Sequence, residues 1–133
     1  MDRDGRPADL RFEFAHTMAA PGDGRRALTG FLTDPDDPLT AYVVLAAAEL
    51  ITNVIRHTGS GGVLQAWDPK PDVPLRLEVA DSEPRSPQVV QDVGVAGGFG
   101  LRIVNTLADA WGVIPTETGK VVWAEFDRSK HKS

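Results

Sequence analysis

The sequence contains no cysteine. That excludes a disulfide scaffold, a thiolate zinc site and a cysteine nucleophile, and it fits a reducing cytoplasm, the expected location. Positive charge is not in excess: 14 Lys and Arg stand against 19 Asp and Glu, a formal net charge of -5. This balance disfavours non-specific binding of nucleic acid, and no basic patch interleaved with aromatics is visible. Long apolar runs are missing too. The longest, Ala41 to Leu50, is broken by Glu49 and is too short to span a bilayer, so no membrane partner is expected. The opening residues MDRDGRPADL lack the apolar segment of a signal peptide. There is no internal repeat and no low-complexity tract.

What is present is ordinary globular material. The chain has 133 residues, 41% hydrophobic and 25% charged, which suits one domain with a real core and argues against wholesale disorder. The expected organisation is a flexible N-terminus over 1–9, a single domain over 10–127 and a flexible tail over 128–133.

Hydrophobic spacing gives the elements. Leu10, Phe12 and Phe14 alternate with polar neighbours as in a half-buried strand within Leu10 to Thr17. From about Asp23, Ala27, Leu28, Phe31 and Leu32 fall at helical spacing until the Asp34 to Pro38 segment stops them. The clearest helix runs from about Leu39 to His57. Val43, Ala47, Leu50 and Val54 form one stripe beside Val44, Ala48, Ile51 and Ile55, and Gly59, Gly61 and Gly62 are expected to end it. Two strands follow, Val63 to Trp67 and Leu75 to Ala80. Asp81 to Gly98 reads as a long loop, then Leu101, Val104, Leu107 and Ala108 as a short helix. Trp111 to Thr116 and Val121 to Phe126 close the chain as a hairpin. Strands arriving in pairs point to an α+β fold with helices on one face of a mostly antiparallel sheet.

Three features carry candidate chemistry. Glu49, Asn53 and His57 lie at i, i+4 and i+8 on one helix face, with Arg56 beside them. An Asn oxygen together with ligand phosphates suits Mg²⁺, and a carboxylate one turn away suits a base. A solvated helix face would carry the same residues. Gly97 to Val104 (GGFGLRIV) places glycines just before a helix, where the backbone can approach an anion and unpaired N–H groups can meet it; a plain hinge is the alternative. Asp81 ends an apolar strand, so its carboxylate needs a donor, which a purine amino group or a local turn would supply. His16 and His131 are isolated. Trp67, Trp111 and Trp123 read as core or edge residues of strands.

The order ELITNVIRH, VADSEP, GGFGLRIVNTLADAWGV and GKVVWAEF resembles the GHKL ATP-binding family, which includes gyrase, histidine kinases and MutL. The likeness is greatest to its short single-domain branch, the RsbW-like anti-sigma-factor serine kinases, and it covers roughly Leu10 to Phe126. The resemblance implies a Bergerat-type α/β sandwich with three helices on one face of a mixed, mostly antiparallel sheet. It implies ATP and Mg²⁺ as cofactors. Glu49 then matches the catalytic glutamate and Asn53 the Mg²⁺ ligand. His57 falls near the phosphates and Asp81 on the adenine amino group. Gly98 and Gly100, with Leu101 behind them, close on the phosphates, and the lid spans Arg85 to Gly97. The family pattern DxGxG reads Asp81-Ser82-Glu83-Pro84 here, and Lys120 and Val121 stand where the family often has a Thr near the adenine. Arg85 and Arg102 are the candidates for a γ-phosphate contact. The implied function is an ATP-dependent serine/threonine kinase acting on an anti-sigma factor antagonist. The alternative is a non-catalytic module that sequesters a sigma factor or antagonist. Relatives commonly form homodimers.

Overall fold

The computed structural model describes residues 5–32, 36–68, 73–81, 98–117 and 119–127, with residues 98–100 as backbone. The segments 69–72 and 82–97 lie outside these, so the expected lid and the Ser82-Glu83-Pro84 turn do too, as does the tail over 128–133. Five strands are described: β1 Leu10–Phe14, β2 Gly62–Trp67, β3 Leu75–Asp81, β4 Ala110–Thr116 and β5 Gly119–Phe126. They form one sheet in the order β1-β2-β3-β5-β4, and each pairing is antiparallel. The helices are α1 Ala20–Phe31, α2 Pro38–His57 and α3 Gly98–Leu107.

The alternation of β3 places Leu75, Leu77 and Val79 on the buried face, opposite Phe126, Ala124 and Val122 of β5. All six join one core with Leu64 and Ala66 of β2. The helices cover this face. α2 supplies Leu39, Val43, Ala47, Leu50, Ile51 and Val54, all at most 4% exposed. Its 20 residues are long and apolar enough, by length and composition alone, to cross a bilayer. The broken run Ala41 to Leu50 had concealed this, because the apolar residues return at helical spacing rather than in succession. Here that apolar side meets the sheet, with α1 and α3 packed on its flanks.

The element ends differ from the sequence reading for local reasons. α1 begins at Ala20, three residues early, because Pro21 fits a first helical turn whose N–H groups need no intrahelical partner. α2 starts at Pro38, with the Asp37 carboxylate accepting from the Leu39 N–H at 2.9 Å. α2 does end at His57, but not through a glycine cap. Thr58 turns extended, and both its N–H and its hydroxyl bind the Val54 carbonyl, at 3.0 and 2.8 Å. Gly61 and Gly62 instead allow close strand approach: a Cβ on Gly61 would lie 2.0 Å from the Phe14 carbonyl oxygen. β1 stops at Phe14, short of Thr17, and exposed His16 binds the Ile55 carbonyl through Nε2 at 2.9 Å, tying this corner to α2. α3 begins at Gly98, so the glycines form its first turn rather than a loop before it.

Residues 5–9, expected to be flexible, are anchored to β2. The Arg6 carbonyl accepts from Trp67 Nε1 at 2.9 Å, and the Asp9 carboxylate accepts from the Asp68 N–H at 2.8 Å. Trp67 is thereby buried on the sheet face away from the helices, while Leu64 and Ala66 point to the core. On that outer face Arg76 bridges Glu78 and Glu125 at 2.8 and 2.9 Å and stacks over the Trp123 ring, 4.6 Å from its centroid.

The β1 corner gives a test of the packing. Gly61→Ala sets a methyl group against backbone atoms of Phe14 and Ala15, which yield less readily than a side-chain tip. The expected loss is about 1–3 kcal/mol, seen as a lower denaturation midpoint at an unchanged slope. A change within experimental error would show that the β1 end shifts freely.

Candidate functional site

The polar edge of α2 meets the end of β3 and the start of β5 in a crevice. Leu50, Asn53, Val54 and His57 line it from the helix, and Val79, Asp81, Lys120 and Val122 line it from the sheet. The sheet register explains the last group. β3 and β5 pair Val79 with Val122 and Ala80 with Val121. One further step sets Asp81 opposite Lys120, with both side chains on the helix-facing side.

The two charges meet there. Lys120 Nζ donates to Asp81 Oδ2 at 3.1 Å. The carboxylate side chain is fully buried and the lysine side chain 5% exposed. A lone carboxylate or ammonium would be costly at this depth, so each charge makes the other tolerable. The neighbouring walls are apolar, and the crevice between them has room for little more than a water molecule.

The residues singled out in the sequence are only partly gathered. Asn53, His57 and Asp81 share the crevice. Glu49 sits one turn N-terminal of Asn53 on α2, half-buried, and does not line the crevice. Neither Glu49 nor Asn53 makes a side-chain hydrogen bond among the described residues. Gly98 and Gly100 lie in the first turn of α3, which packs against α2, and the N–H groups of a first turn have no intrahelical partner. Leu101, grouped with those glycines, buries its side chain in the core at 4% exposure and leaves only its backbone for a ligand. Arg102 is exposed on α3, and Arg85 lies outside the described residues.

Among the described residues no three His, Asp or Glu side chains converge as a ready metal cage. The Asn53 amide oxygen, which lines the crevice, is of the ligand type that Mg²⁺ accepts.

Lys120 was noted in the sequence only as a departure near the hairpin, not as part of the site. The signal was there. Val122, Ala124 and Phe126 have the parity of a buried face, and Lys120 shares it. A charge at a buried position of a strand needs a partner, and the one carboxylate ending an adjacent strand on the same face is Asp81.

The pair predicts its own energetics. Asp81→Ala leaves the Lys120 ammonium buried without its counter-charge and is expected to cost about 3–5 kcal/mol. Adding Lys120→Met should recover a large part of that loss. A urea-unfolding double-mutant cycle measures both, and additive losses would show that the two charges do not stabilise each other.

Two comparisons bear on this arrangement. A family model described as histidine kinase-like ATPase domain matches residues 17–126. A crystal structure of the RsbU and RsbW domains of Rv1364c from Mycobacterium tuberculosis is similar, with a TM-score of 0.65 at 19% identity over 92% of this chain. The chain spans 32% of that protein chain, and at this identity the likeness concerns the fold. No curated protein matches the sequence.

Proposed function

Because this chain belongs to the histidine kinase-like ATPase family, we propose that it binds Mg-ATP along the polar edge of α2 and serves as an anti-sigma-factor-like regulatory kinase. The observation that supports this reading is that Asn53, His57 and Asp81, which the family resemblance assigns to the nucleotide, line one crevice. The similarity in fold to a structure containing an RsbW domain is consistent with this reading.

Each residue has a task in this reading. The Asp81 carboxylate accepts a hydrogen bond from the purine amino group. The Asn53 amide oxygen binds Mg²⁺. Backbone N–H groups at Gly98 and Gly100 meet the phosphates at the start of α3, where the helix dipole favours negative charge. ATP supplies the phosphoryl group when bound, and its transfer depends mainly on positioning and charge neutralisation. Glu49 takes the proton from the serine or threonine hydroxyl of the protein acceptor, and ADP is the leaving product. The acceptor is an anti-sigma factor antagonist, and the chain also sequesters its partner. The cytoplasm is the compartment this role requires.

The buried Asp81–Lys120 pair favours a second reading, in which the same fold binds a sigma factor or antagonist with weak nucleotide binding and no catalysis. Titration calorimetry with ATP separates the two: Mg²⁺-dependent micromolar binding belongs to the kinase and undetectable binding to the module. Under the kinase reading, Glu49→Ala lowers phosphorylation of the antagonist by about 100-fold or more while ATP affinity stays within about threefold. Asn53→Ala instead removes the Mg²⁺ dependence of binding. Equal labelling by Glu49→Ala and the wild-type protein would reject the role given to Glu49.

A further inference from the structure

We propose that Lys120 is an internal lock on the base-binding end of the crevice, so that a nucleotide enters only by exchanging the Lys120–Asp81 salt bridge for its own purine edge. The inference rests on the nucleotide reading above and goes beyond it by identifying what limits affinity.

The Asp81 carboxylate is the group that would accept from a purine amino group, and its Oδ2 already accepts from Lys120 Nζ at 3.1 Å. The carboxylate side chain is fully buried, and Asp81 lines the same crevice the base would enter. The crevice that Lys120 helps to line admits little more than a water, whereas a purine ring system is many times larger. The ammonium and the base therefore compete for space even though a carboxylate has lone pairs for several donors. Leu50, Val54, Val79 and Val122 offer apolar side chains to a ring, and Lys120 lines the same crevice.

The exchange has an asymmetric energy. Breaking the pair surrenders a charge-assisted hydrogen bond in a dry site, and the purine returns a neutral one. Lysine suits a reversible lock, because its four-carbon stem is flexible and its ammonium is strongly hydrated once it swings outward. The binding-competent state is then a minor population of the free protein, and apparent affinity falls by that fraction.

The test varies Lys120 and reads ADP and ATP dissociation constants by titration calorimetry, with folding checked by circular dichroism. Lys120→Thr keeps a hydroxyl donor for Asp81 but clears the stem, and is expected to bind ADP about tenfold tighter than wild type or better. Lys120→Gln preserves length and a neutral donor, is the milder change for folding, and is expected to fall between the two. Lys120→Arg keeps the charge pair with a bulkier head and is expected to bind no tighter than wild type. Equal or weaker binding by Lys120→Thr and Lys120→Gln, with measurable wild-type binding, overturns the lock and leaves the nucleotide reading standing. Tighter binding by Lys120→Arg overturns it as well. If the folded wild type and both lock-clearing variants all fail to bind ADP and ATP at millimolar concentration, the nucleotide reading fails and the lock fails with it.

Discussion

Burial of the apolar side of α2 against the sheet is the contact on which the rest depends. It gathers Leu39, Val43, Ala47, Leu50, Ile51 and Val54 into the core with Leu64, Leu77 and Val79. Fixing that side fixes the opposite edge as well, because side chains on a helix advance by a set angle per residue. Asn53 and His57 are thus carried to the crevice by the same packing that hides Leu50 and Val54. The core and the candidate site are two consequences of one helix orientation.

The sheet supplies the other wall by a comparable economy. Period-two alternation sends Leu75, Leu77 and Val79 inward, and the same parity sends Asp81 inward after them. β5 does likewise with Lys120 ahead of Val122, Ala124 and Phe126. Antiparallel register then brings the two charged residues together at the sheet end nearest α2. A buried ion pair of this kind is not a general source of stability, since desolvation of both charges offsets their attraction. Its location in the crevice, rather than its energy, is what bears on the proposed nucleotide site.

Near that crevice the chain couples recognition to tertiary packing more than a surface site would. Leu101, adjacent to the glycines of α3, sits in the core, so the start of that helix is seated by hydrophobic contact. His16 bonds to the Ile55 carbonyl and holds the end of α2 to the β1 corner. The glycine pair at 61 and 62 lets β1, β2 and β3 approach closely there. These contacts tie the end of α2 and the neighbouring strand ends to one corner of the sheet.

The amino-acid sequence by itself determined the α+β class, the order of strands and helices, the apolar stripe of α2 and the spacing of Glu49, Asn53 and His57. These are local, set by side-chain periodicity and by turn residues, so they are legible one segment at a time. It also carried the family pattern from ELITNVIRH to GKVVWAEF. What only the tertiary structure decided is non-local. The end of α2 rests on Thr58 and its bonds to Val54, not on the glycines that follow it. The N-terminal residues 5–9 are bonded to Trp67 and Asp68, 61 and 59 positions away along the chain. The pairing of Asp81 with Lys120 joins residues 39 positions apart. No pattern within either segment names the other, because strand register is settled by the summed packing of the two faces, and only that register puts the two charges within reach.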